Sequence, residues 1–195
     1  MIPLSAQGIS LQLPAGWEGR IGLRTVAGPA AAARSAAARS AAAEPTSPPS
    51  ARGRSALAAA AAPAPLSGEN DGIGGRLFPV THAGNFALPP DRGDFGSGAV
   101  DVMGESGVLM ALVEYGDECV GTALFDHPRP VPRVAEFAPD TLQRRISGQL
   151  GYQRFFTEAG RAFCLYVVVG SIRFAPTLLT GTRTVLSHTT IGPRR

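Results

Sequence analysis

The sequence predicts an α+β fold, a mainly antiparallel sheet with one or two packed helices, interrupted by a disordered Ala/Pro-rich insertion. Three observations predict it. Short β-rich runs bounded by Gly and Pro recur before residue 26 and after residue 73. One stretch near the C-terminal end has the apolar spacing of a helix. Between these parts the composition collapses onto Ala, Pro, Ser, Arg and Gly, and no aromatic residue falls between Glu18 and Leu77.

Ile9, Leu11 and Leu13 alternate with Ser10 and Gln12, the period of a half-buried strand that Pro14 stops. Trp17 comes after a turn and is expected to fold back onto the sheet. "RIGLRT" is the next strand, with Ile21 and Leu23 on one face. The insertion spans 26–72. Its Ala-rich part favours helix, but an isolated helix of that length is marginal in water. Five prolines between Pro45 and Pro65 break the second half of the segment. With nothing large to bury, it cannot offset its ordering entropy. The reading is therefore one discontinuous domain, 1–25 with 73–193, and a disordered insertion or linker, with a partner-binding or tethering arm as the functional alternative. Deleting residues 27–71 is expected to leave thermal stability nearly unchanged.

After the insertion, Leu77, Phe78 and Val80, then Phe86 and Leu88, read as one strand or as two with a break at Ala83-Gly84. Residues 107–116 are apolar on both faces and so central. "GTALF", 121–125, reads as a shorter strand. "DHPRPVPRV" is a proline-rich loop. From Thr141 to Gly170 the chain reads as a meander, clearest in two β-rich runs joined around Glu158–Arg161, with Gly160 for the turn. The helix is expected over 175–188, with Leu178, Leu179, Val185 and Leu186 on a shared face. "HTTIG" closes the sheet as an edge strand. About 145 residues then build the domain, enough to bury about 68–70% of the unfolded-chain surface.

The 195-residue chain carries a net charge of +3, and all 18 of its basic residues are Arg. A GC-rich genome explains that usage; selection for guanidinium forks is the alternative. Residues 91–118 hold seven acids and one Arg, whereas residues 144–195 hold eight Arg and one Glu. Either these segments face and neutralise each other, or they form a bipolar surface that orients a partner. The longest strongly apolar run, Ala162–Val169, is eight residues, against the roughly 20 a membrane helix needs. With no leader-like N-terminus, the expected compartment is the cytoplasm. Two cysteines make no disulfide framework.

"LPAGW" closing an alternating strand, a central meander, "RAFCLYVVVG" and a late helix then strand together resemble the PsbP-like fold, named for an extrinsic subunit of photosystem II. The chain as a whole resembles uncharacterised proteins of high-GC actinobacteria. The fold resemblance covers the two ends of the domain. It implies a non-catalytic accessory or assembly role, and it places none of that family's metal-binding or docking residues here.

The stretch most like a site is "HAGNFALPPDRGDFGSG", from His82 to Gly98. Arg92-Gly93-Asp94 spells an adhesion tripeptide, and Asp94-Phe95-Gly96 the kinase magnesium motif without its companions. The glycines at 93, 96 and 98 spell a dinucleotide fingerprint in reverse. Asp91, Asp94 and Asp101 lack the spacing of a calcium loop. Turn chemistry explains the stretch as well. If it forms a pocket, His82, Asn85, Arg92 and Asp94 are its candidate ligand-binding residues.

Elsewhere the chemistry is sparse. Cys164 sits in an apolar strand, and Cys119 comes after two acids that disfavour its thiolate. His82, His127 and His188 show no metal-ligand spacing. Ser97 and Ser106 do not fit G-x-S-x-G. Arg144, Arg145 and Arg154 near Tyr152, Phe155 and Phe156 could stack bases, but consecutive strand residues face opposite ways, so nucleic acid is not the expected partner. No catalytic residue, metal or cofactor is expected. The leading expectation is a non-catalytic accessory domain that binds a protein partner. The alternative is a small-molecule-binding domain or enzyme with a pocket around residues 82–98.

Overall fold

The computed structural model describes residues 1–26 and 75–194. The insertion expected at 26–72 lies, from residue 27 on, outside the described residues. Met1–Arg24 and the chain from Leu77 onward pack as one unit.

A hairpin opens the chain. β1 (Ile2–Ala6) pairs antiparallel with β2 (Ile9–Leu13), Ala6 opposite Ile9. Gln7 and Gly8 both have positive φ, the two-residue turn whose twist suits antiparallel strands. β1 is not expected from the sequence, whose first strand signal is at Ile9. β2 keeps its alternation: Ile9, Leu11 and Leu13 are buried, Ser10 and Gln12 half-buried. The short β8 (Thr190–Ile191) pairs with the other side of β2 as the expected edge strand, giving the order β1-β2-β8.

The larger sheet has the order β3-β4-β5-β7-β6. Its strands are β3 (Glu18–Val26), β4 (Arg76–Gly84), β5 (Val108–Glu114), β6 (Leu150–Glu158) and β7 (Arg161–Val169). Every residue of β5 and β7 is buried, which is why their sequences run apolar without alternation. β6 and β7 form the expected hairpin, closed at Glu158 opposite Arg161. Ala159 as well as Gly160 takes positive φ there, which costs an L-residue about 1 kcal/mol.

Both faces of this sheet are covered. On one lie β1, β2 and a helix, α2 (Ala175–Ser187), whose Leu178, Leu179, Val185 and Leu186 enter the core as expected. Pro176 stands in its first turn, where no intrahelical N–H is lost. Gly181 is the notch against which Trp17 packs: a Cβ there would stand 2.9 Å from the indole Cζ2. On the other face Val80, Leu109, Ala111, Cys164 and Val168 meet residues from the stretch after β4, among them Leu88, Ala99 and Met103. That stretch contains a short helix, α1 (Ser97–Val102), where the sequence predicts only loop. Gly96, at φ 79, lets it lie on Leu109.

Of the two alternatives for β4, the single strand holds: it stays paired through Gly84, opposite Leu109, and Phe86 and Leu88 lie beyond its end. Two element expectations change. The meander begins only at Leu150; Thr141 ends a short 3-10 turn, Pro139–Thr141, and residues 142–149 are irregular chain. "GTALF" is a turn, not a strand: the amides of Phe125 and Asp126 both donate to the Thr122 carbonyl, and Gly121 has φ 76. Its apolar character comes from an anchor, Phe125, buried against Tyr115 and Phe155.

The segregated charges do meet. Arg161 and Arg194 pair with Glu114, Arg194 also with Asp117, and Arg144 with Asp101. The proline-rich loop is pinned by Arg129, which pairs with Glu158 and donates to the carbonyls of Leu186 and Thr189 at the end of α2.

Candidate functional site

His82 lies in β4 opposite Ala111, almost wholly buried. Its Nε2 donates to the Asp94 carbonyl at 3.0 Å, and its Nδ1 accepts from Arg92 Nε at 3.3 Å. These partners select the neutral tautomer with the proton on Nε2. Burial first, and then the Arg92 charge, lower the His82 pKa from 6.5 to about 4. Arg92 Nη1 donates to the carbonyls of Pro89 and Pro90, at 2.7 and 3.3 Å. The two prolines stiffen the loop, and the guanidinium closes it around the imidazole.

β3 is tied to this loop twice. Glu18 accepts from the Leu88 amide at 2.8 Å. Arg24 Nη1 stands 3.6 Å from Asp94 Oδ2. Arg24 is itself held: Nη2 donates to the Glu114 carbonyl at 2.8 Å, and the guanidinium lies 5.1 Å from the Tyr115 ring centre. Its Nε is buried without a hydrogen-bond partner among the described residues.

Between β3 and the loop is an open cleft of about 170 Å³, lined by Gly22, Leu23, Arg24, Val80, His82, Pro90, Arg92, Gly93 and Asp94. Three of the four candidates, His82, Arg92 and Asp94, therefore converge. Asn85 stands apart. Its Nδ2 donates to the Ser106 carbonyl at 2.9 Å and its Oδ1 accepts from the Val108 amide at 2.7 Å, clamping the end of β4 to the start of β5. Arg24 is the member that sequence reasoning missed. Its local signal was only its place in an alternating strand; that β3 borders β4 is a tertiary fact.

The cleft presents two guanidinium groups, a neutral imidazole and the Asp94 carboxylate, and the guanidinium groups are suited to holding an anion. Both nitrogens of His82 are engaged, so the imidazole has no free lone pair to act as a general base.

The remaining candidates are structural. Cys164 is buried in β7, accepts from Gln153 Nε2 at 3.4 Å, and burial pushes its thiol up to about 12. Burial and then Glu118 raise the Cys119 thiol. His188 caps α2, its Nδ1 2.9 Å from the Thr184 carbonyl. Among the described residues no three His, Cys, Asp or Glu gather where a metal could bind. Tyr152 stacks on Phe137 and Phe156 on Phe163, all buried, and Phe155 packs on Tyr115. These rings build the core and offer no stacking platform. No helix among the described residues is long and apolar enough to cross a membrane. Comparison with protein-family models, with curated proteins and with solved structures finds no match for this chain.

Proposed function

We propose that the chain is a non-catalytic binding domain that meets a protein partner at the cleft between β3 and the 89–94 loop. The observation that carries this is the convergence of Arg24, His82, Arg92 and Asp94 on one open surface depression. Three further features support it. At about 170 Å³ the cleft is smaller than the roughly 300–1,000 Å³ that encloses a small organic ligand, so its occupant is a group carried on a larger body. β3 is an edge strand among the described residues, and edge strands accept extended segments of other chains. Leu23, which lines the cleft, is 49% exposed, an apolar contact beside the charged ones. The accessory role implied by the PsbP-like resemblance points the same way.

Site-specific photo-crosslinking in lysate of the native host tests the proposal. A photoreactive residue at Leu23 is expected to capture a discrete protein. The same residue at Val131, which is more exposed than Leu23 but outside the cleft lining, is expected not to. Arg92→Ala is expected to abolish the Leu23 product. Equal capture from both positions, or none from Leu23, overturns the proposal.

A further inference from the structure

We infer that the cleft is a carboxylate receptor that the chain's own Asp94 now occupies, and that an acidic group of the partner engages Arg24 by displacing it. This rests on the cleft being the partner-binding face.

Among the described residues, Arg24 is an underused guanidinium, its Nε buried without a hydrogen-bond partner. It is only 16% exposed and held in place by the Glu114 carbonyl and the Tyr115 ring. A guanidinium so placed has its position and conformational entropy already fixed, which favours binding. Yet its contact with Asp94 is 3.6 Å, well beyond the roughly 2.7–2.9 Å of a charge-assisted hydrogen bond. The geometry explains the gap. The Asp94 backbone is pinned by its carbonyl, which accepts from His82 Nε2, and Gly93 before it turns at φ 59. From that pinned backbone the short Asp side chain stands 3.6 Å from Arg24 Nη1. A carboxylate arriving on another chain is free of that tether.

Displacement is also easy. The Asp94 side chain is 48% exposed, so rotation about its Cα–Cβ bond takes its carboxylate into water with little change in hydration. The loop keeps its shape, because His82 and Arg92 hold it through backbone carbonyls. What remains is a small depression with two positive charges, Arg24 and Arg92, and a neutral imidazole. Its size admits an acidic side chain or a C-terminal carboxylate.

The test is titration of the full ¹⁵N-labelled chain with sodium acetate and, separately, inorganic phosphate at constant ionic strength. The reporters are the Arg24 Nε–H signal and the ring nitrogens of His82, which lines the same cleft. Asp94→Ala leaves the pinned backbone intact and is expected to bind acetate about fivefold more tightly than the unaltered chain, the upper end for a half-exposed ion pair. Arg24→Gln, checked for folding by circular dichroism, is expected to lose the saturable acetate response seen at His82. Acetate binding no tighter in Asp94→Ala overturns the inference, as does the absence of a saturable shift. Phosphate binding tighter than acetate overturns the carboxylate assignment. If Leu23 still captures its protein while Asp94→Ala changes nothing, the displacement idea fails and the partner-binding face stands.

Discussion

Arg161 grips Glu114 with two nitrogens, Nε at 3.0 Å from Oε1 and Nη2 at 2.5 Å from Oε2, and the carboxylate is wholly buried. Arg194 adds a second guanidinium at 2.5 Å, and Arg161 Nη1 donates to the Gly192 carbonyl. The pair joins β5 to β7 and ties the C-terminal segment to both. Removing one partner of a buried pair leaves the other charged and desolvated, a penalty of about 3–5 kcal/mol. Glu114→Ala is expected to lower the unfolding free energy by about that amount in urea melts. Arg194→Ala, one-third exposed, is expected to cost about 1 kcal/mol or less. Near-equal losses for the two variants would show that the buried pair does not hold this corner.

His82 links stability to pH. Its folded pKa is about 4 against an ordinary 6.5. The unfolded chain therefore takes up a proton below about 6.5 that the folded chain refuses. The His82 contribution is complete above that pH, falls as pH drops, and levels near 4. The full span is about 3 kcal/mol. The stability difference between the unaltered chain and His82→Gln is thus expected to shrink by about 3 kcal/mol from pH 7 to pH 4. A difference that stays constant with pH would mean that His82 titrates normally in the fold.

Gly181 tests the packing of Trp17, the chain's one tryptophan. Ala for Gly inside a helix ordinarily gains about 1 kcal/mol. Here the added Cβ would meet the indole at 2.9 Å. Gly181→Ala is expected to yield no gain and to shift Trp17 emission to the red as the ring is pushed toward water. In a Trp17→Leu background the helix gain is expected to return. Stabilisation by Gly181→Ala with unchanged emission would refute the contact.

The two thiols should separate cleanly under a disulfide reagent. Cys164 is buried and held to about 12 by desolvation, so it carries almost no thiolate at neutral pH. Cys119 is partly accessible, with its thiol raised above the usual range. One slow-reacting thiol is expected in the native chain and two after denaturation. Rapid reaction of either native thiol would reopen nucleophilic chemistry at that residue.

Sequence and tertiary structure determined different things here. Alternation at Ile9, Leu11 and Leu13, the unbroken apolar runs of β5 and β7, the turn at Gly160 and the apolar face of α2 are local, because each reports how one element is buried along its own backbone. Those signals sufficed for an α+β chain built mainly of antiparallel sheet. β1 escaped because "IPLSA" is short and carries Pro3. "GTALF" misled because one buried anchor, Phe125, imitates a strand.

Three of the four site residues were equally local. His82, Arg92 and Asp94 lie within 13 residues, and the prolines between them shape their loop. What only the tertiary structure decided is which groups they meet. Arg24 comes from before the insertion to face Asp94, Asn85 turns from the cleft to clamp β5, and the acidic and basic segments resolve into particular ion pairs. A strand's pattern tells which of its faces is buried, but not which strand lies beside it. That choice is made by long-range pairing and packing, and at this cleft it brings Arg24 of β3 against a turn-rich connection.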